Sequence, residues 1–98
     1  MKLKLLTAAK SDVADAIAYY NSEEPGLGSQ FAAEVRKTIE RVLQFPNAWA
    51  SVSKRVRRCQ VNRFPYSVFY SLKNDIVVVI AVLHNHREPR TWQTRVED

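Results

Sequence analysis

The sequence predicts an α+β fold of order β-α-α-β-β-β, a helical hairpin packed on one face of a small, mainly antiparallel twisted sheet. Three observations carry that expectation. Residues 76–83 form an unbroken apolar run rich in Val and Ile, short enough and β-branched enough to be a strand covered on both faces. Residues 9–20 and 31–43 each repeat apolar side chains at helical spacing. The turn signals Pro25-Gly26, Phe45-Pro46 and Lys73-Asn74-Asp75 fall between these segments.

Taken in order, Lys2-Leu3-Lys4-Leu5 alternates polar and apolar, as a strand with one buried face does. Thr7 or Ser11 is placed to cap the helix that follows, with Asp12 and Asp15 in its early turns, where acids suit the helix dipole. Ala9, Val13, Ile17 and Tyr20 make one apolar stripe. Pro25-Gly26 breaks the helix, and a second opens at Leu27. Its buried face is Phe31, Val35, Ile39, Val42 and Leu43, with Glu34, Arg36, Lys37, Glu40 and Arg41 elsewhere. Phe45-Pro46 ends it, because a residue before proline avoids the α region. The short link makes an antiparallel helical hairpin, and its apolar stripes need a sheet to cover them.

Residues 46–53 read as a loop with Trp49 packed onto the core. Residues 55–61 have mixed periodicity, since Val56 and Val61 cannot share a face without a bulge. Pro65 fits the first residue of a strand, which continues to Leu72. Asn74 and Asp75 then supply a hairpin turn into the apolar run. Phe64 and Phe69 are assigned to the core. Past the strand, Pro89, Trp92 and Arg95 recur at spacings of three, as on one face of a helical turn.

The chain has 98 residues, enough for one domain and one modest core over 1–98. Its apolar run is far short of the roughly 20 residues a membrane-spanning helix needs. With a single cysteine, Cys59, and no basic start followed by an apolar segment, a cytoplasmic location is expected, with no membrane partner. His84-x-His86 lacks further ligands nearby, so no metal or cofactor is expected. The formal net charge is +5, and no acid lies between Glu40 and Asp75, an interval that holds Arg41, Lys54, Arg55, Arg57, Arg58, Arg63 and Lys73. Such a basic face suits an acidic partner or nucleic acid, or it protects a strand edge from aggregation.

The motifs in this order resemble the RelE/ParE superfamily of type II toxin-antitoxin toxins, most closely its ParE-like branch of plasmid stabilisation proteins. They are A-x-x-D-V-x-x-A-I-x-Y-Y over 9–20, P-G-L-G over 25–28, F-x-x-E-V-x-x-T-I over 31–39, R-R over 57–58, F-P-Y-x-V-F-Y over 64–70 and A-V-x-H-x-x-R-x-P-x-x-W over 81–92. The resemblance implies neutralisation by a cognate, ParD-like antitoxin whose disordered, acidic, amphipathic C-terminal segment folds onto the toxin. It further implies inhibition of DNA gyrase by binding. Arg55, Arg57, Arg58, Arg63, Tyr66, Arg87, Arg90, Trp92 and Arg95 are then contact candidates, Arg and Trp being the residue types that most often dominate interfaces.

The RelE branch implies a different chemistry, metal-independent cleavage of messenger RNA on the ribosome. That reaction needs an acid, a base and cations around the phosphorane-like transition state. His84, His86, Arg87, Arg58 and Tyr70 are its candidates here, with the two imidazoles, two apart on a strand, as an acid–base pair. The branch's usual arginine in the third strand is not evident, however. Ser67 stands closest to that position, and Asn85 sits near where another arginine is expected. His84 reads equally as a strand end with its ring bonded to backbone, and Trp92 equally as a lid over the sheet. A plain nucleic-acid-binding module fits less well, because the aromatics interleave with apolar residues rather than with basic ones.

Overall fold

The computed structural model describes residues 1–96. The chain forms β1 (Lys2–Leu5), α1 (Thr7–Glu23), α2 (Leu27–Gln44), β2 (Ala50–Ser51), β3 (Arg57–Gln60), β4 (Tyr66–Lys73), β5 (Ile76–His84) and α3 (Arg90–Gln93). The sheet has five strands in the order β1-β5-β4-β3-β2. Only β1 runs parallel to its neighbour, Leu5 standing opposite Val79; the other pairings are antiparallel. The expected order therefore holds, with one addition. The two-residue β2 lies inside the expected loop, while the expected helical turn of the tail is the short α3.

No side chain caps α1. Leu6 is its N-cap, and Thr7 is already helical. The chain passes from strand to helix through Leu6 alone, whose N–H still donates to Val79 O at 3.0 Å, so the sheet fixes the helix start. At the hairpin, Gly26 takes φ 89°, a left-handed conformation that glycine adopts without strain. Gly28 is required for a different reason. A Cβ there would stand 2.5 Å from Ile17 O, so glycine lets the two helices approach. Asn21 Oδ1 accepts the Gly28 N–H at 2.8 Å across the contact.

Both helices cover one face of the sheet, where Phe31, Val35, Ile39 and Val42 pack on Cys59, Val61, Val68, Tyr70, Val77, Val79 and Val82. Glu34, expected outside the buried face, is 8% exposed. Its carboxylate lies 3.7 Å from the Arg63 guanidinium and 3.9 Å from Lys37 Nζ, which offsets part of the cost of burying it. The opposite face is covered in part by the tail, with Trp92 over Phe69, Ile80, Ala81, Leu83 and Val56. Val56 and Val61 thus serve opposite faces, and the mixed periodicity of that segment needs no bulge.

The bulge is in β5 instead. Phe69 stands opposite Ala81 and Tyr70 opposite Val79, which leaves Ile80 as the extra residue. Ile80 and Ala81 therefore both face the tail. After them Val82 returns to the helix side, and His84 lands opposite Tyr66. One inserted residue sets which side of the sheet the strand's end presents.

Candidate functional site

The sequence candidates divide among four places. His84, His86 and Arg87 come together at the end of β5. His84 closes the strand, while His86 and Arg87 lie in the turn beyond it, where Arg87 N donates to His84 O at 2.9 Å. The two imidazoles meet through this turn rather than through strand alternation, with ring centroids 5.3 Å apart. His84 Nδ1 accepts the His86 N–H at 3.1 Å, which puts the proton of a neutral His84 ring on Nε2. Tyr66 packs edge-on against His84 at 5.4 Å.

His84, Arg87 and Tyr66 border an open hollow of about 290 Å³, lined also by Tyr19, Asp12 and Asp15; His86 is not part of its lining. Burial pushes the Tyr66 phenol up, a shift the nearby Arg87 partly offsets. The Tyr19 phenol is also raised, chiefly by its hydrogen bond with Glu23. Both phenols are donors rather than bases at neutral pH. The hollow thus sets one guanidinium, Arg87, against the Asp15 carboxylate, while Asp12 is engaged by Arg95, so its lining offers a phosphodiester no net positive charge.

Arg58 and Tyr70 are not part of this hollow. Arg58 is half-buried on β3 opposite Phe69, on the side facing the tail. Tyr70 is fully buried under the helices, and its hydroxyl donates to Pro46 O at 2.6 Å. Burial pushes this phenol up to about 12. The five residues proposed for RNA cleavage therefore do not converge on one reacting atom.

The positions of Ser67 and Asn85 are the most informative. Ser67 is fully buried. Its hydroxyl donates to Asn85 Oδ1 at 2.7 Å, and Asn85 Nδ2 donates to Gln60 Oε1 at 2.9 Å. Gln60 Nε2 in turn bonds the carbonyls of Val61, Phe64 and Tyr66 at 3.1–3.2 Å. The result is a neutral hydroxyl–amide network across β3, β4 and the end of β5. It stands where the resemblance led us to expect cations. Among the described residues no three or more His, Cys, Asp or Glu side chains cluster so as to hold a metal ion.

The contact candidates are also sorted by their surroundings. Arg55, Arg63, Arg87 and Arg90 are exposed, and Arg57 and Tyr66 are half-buried. Arg63 adopts φ 71° and is held by Gln30 Oε1 at 2.7 Å and by Glu34. Arg57 Nη1 donates to Trp49 O at 2.7 Å. Trp92 is 6% exposed and stacks on Phe69 at 5.6 Å, so it is a lid.

Arg95 makes a bidentate pair with Asp12, at 2.6 and 3.1 Å. The same Arg95 donates to Ile80 O at 3.2 Å, and Asp12 Oδ2 accepts the Val82 N–H at 3.0 Å. Beyond the last residue of β1 this ion pair replaces the strand, satisfying the next groups on the edge of β5. Asp12, expected to serve the helix dipole, instead ties α1 to β5 and the tail. Nothing in its helical spacing distinguishes it from Asp15, and its partner lies 83 residues away.

A second surface feature lies on the helix side. Between β1 and both helices runs an apolar groove of about 390 Å³, floored by Leu3, Leu5, Val13, Val35 and Leu43, with Lys10, Arg36 and Glu40 along it. β1 is the outermost strand there, and Leu3 remains 42% exposed.

Comparison with known proteins settles the family. A family model described as the ParE toxin of the type II toxin-antitoxin system parDE matches residues 3–89. The chain belongs to the ParE toxin family. It is 24% identical to Toxin ParE2 of Mycobacterium tuberculosis over 96 residues, covering 97% of this chain and 91% of that protein. Its fold is that of a chain from the chromosomal ParDE toxin-antitoxin system of P. aeruginosa. The TM-score is 0.77 at 19% identity, over 86% of this chain and 95% of that one. As a ParE-family toxin it is the poison half of a two-protein system, which implies an antitoxin partner. Among its described residues no helix is long and apolar enough to cross a membrane.

Proposed function

We propose that this ParE-family toxin acts in the cytoplasm by binding DNA gyrase, without a reaction centre of its own, and that a ParD-like antitoxin silences it. The observation that carries this reading is the neutral Gln60–Ser67–Asn85 network. Cleaving a phosphodiester without a metal requires cations against the developing charge. Ser67 and Asn85 supply a hydroxyl and an amide there, both already engaged with protein atoms. His84 shares its hollow with the Asp12 and Asp15 carboxylates, His86 lies outside it, and Arg58 is on the opposite face of the sheet.

The groove between β1 and the helices suits the antitoxin. Its apolar floor matches one face of an amphipathic segment, and Lys10 and Arg36 match acids on the segment's flank. Ala32 is half-buried in this groove. Ala32→Glu is expected to weaken antitoxin binding by more than about tenfold, because it presses a carboxylate into the apolar groove and, one turn before Arg36, occupies the guanidinium that would meet the antitoxin's acids.

The target is tested by adding purified toxin to a gyrase supercoiling assay and to a translation extract. Loss of supercoiling with intact messenger is the expected result. Messenger cleavage with normal gyrase activity reverses the assignment to RelE-like endonuclease action on the ribosome.

A further inference from the structure

We propose that the hollow beneath the β2–β3 hairpin is an anion site that takes a backbone phosphate of nucleic acid. The hairpin is closed tightly: Val52 N and Ser53 N both donate to Val56 O, at 2.9 and 3.2 Å. Beneath it lies a hollow of about 240 Å³ lined by Asn47, Ser51, Ser53, Lys54, Arg55 and Arg57. Among the described residues lining it none is acidic. Ser51 stands opposite Arg57 in the ladder, so a hydroxyl and a guanidinium are neighbours on one face. The Trp49 carbonyl holds Arg57 Nη1 at 2.7 Å, which fixes the guanidinium before any ligand arrives. A pre-positioned fork loses less side-chain freedom on binding an oxyanion than a free one does.

The donor set selects among acidic ligands. Two hydroxyls, an amide, an ammonium and the Arg57 guanidinium can serve several oxygens of one phosphate at once. An amphipathic acidic peptide also needs an apolar floor, which the groove beside β1 has and this hollow has only in Leu72 and the buried Val56. No aromatic ring lines the hollow, so bases have nothing to stack on. Contact is therefore to the sugar–phosphate backbone and independent of sequence. The site stands apart from the choice of target. Gyrase holding DNA offers duplex phosphates, and a ribosome offers RNA phosphates.

The test is amide NMR on the full chain, titrated separately with a short DNA duplex, a single-stranded RNA and poly-glutamate. We expect shifts concentrated at Asn47, Ser51 and Ser53 with nucleic acid. Stronger binding of the duplex assigns DNA as the source, and stronger binding of the single strand assigns RNA. Lys54→Gln, at the exposed hairpin tip, should lower the slope of log affinity against log salt by about 1. Arg57→Gln should do the same, and Lys54→Gln controls for the bond to Trp49 that Arg57→Gln also removes. Equal shifts at these amides with poly-glutamate overturn the phosphate assignment, and so does the absence of shifts there with nucleic acid. All readouts use toxin alone, so they fail or succeed independently of the gyrase assay.

Discussion

Two side-chain clusters brace the C-terminal half of β5, and they differ in charge. On its outer edge Asp12 and Arg95 form a bidentate ion pair that takes over from β1 and bonds Ile80 O and Val82 N. Towards β3 and β4, Gln60, Ser67 and Asn85 form a network with no charge in it. The ion pair joins residues far apart in sequence and holds the tail against α1. The neutral network occupies the ground where phosphodiester chemistry would need charge. Around this strand the buried charges hold the fold, and the amides stand where the resemblance led cations to be expected.

The largest expected effect comes from breaking the charged side. Asp12 and Arg95 side chains are only 12% and 20% exposed. Asp12→Ala leaves a mostly buried guanidinium and the Val82 N–H without their acceptor, which costs about 3–5 kcal/mol. Urea denaturation measures this. The double replacement Asp12→Leu with Arg95→Met should recover only the part due to the stranded guanidinium, since the Val82 N–H and Ile80 O then lose their side-chain partners. A single-variant loss below about 1 kcal/mol would mean the pair behaves as a surface contact.

Burial of the phenols has its own pH signature, clearest at Tyr70. An unfolded tyrosine loses its proton near 10.0, whereas burial holds the folded Tyr70 proton to about 12. The folded chain binds the extra proton between those values. Stability is therefore fully present below pH 10 and declines as pH rises to 12, by about 2.7 kcal/mol at most. Tyr20 and Tyr66 are raised too, mainly by burial, and add to the same decline. Tyr70→Phe should make this high-pH arm shallower in a series of denaturation curves. An unchanged slope would show that Tyr70 is not the group responsible.

Within the neutral network, Ser67→Ala removes a buried donor and leaves Asn85 Oδ1 short of a partner. About 1–2 kcal/mol of stability should be lost. Gyrase inhibition, measured where the variant is fully folded, should be unchanged. A large loss of inhibition without loss of fold would make the network part of the working surface.

Local pattern carried most of this architecture in the sequence. The apolar stripe of 31–43, the Val-rich run of 76–83 and the Asn74 turn each depend on near neighbours, so the helices and the β4–β5 hairpin were readable. What pattern could not show depends on partners distant in sequence. Glu34 appeared solvent-facing until Arg63 folded over it. Asp12 appeared to be a dipole residue until Arg95 reached it. The β5 bulge, which sets where His84 points, leaves no mark in an unbroken apolar run. Ser67 and Asn85 were noticed only as departures from a resemblance. That they bond each other through the pairing of β4 and β5 became evident only from the fold.

The smallest expected effect is also the sharpest test of the contrast. His84 and His86 are the groups best suited by type to acid–base chemistry, and they lie between the two clusters. If the end of β5 reacts with nothing, replacing both by Ala should leave growth inhibition nearly intact. The His84 ring also accepts the His86 N–H and packs on Tyr66, so a loss of up to about 1 kcal/mol of stability is expected from those contacts. Antitoxin affinity and a thermal melt separate that structural loss from a catalytic one. Abolished toxicity with a native melt and unaltered antitoxin binding would count against the binding reading, and cleaved messenger in a translation extract given the parent toxin but not the double variant would assign the imidazoles a chemical step, because a lost contact to gyrase leaves messenger intact in both.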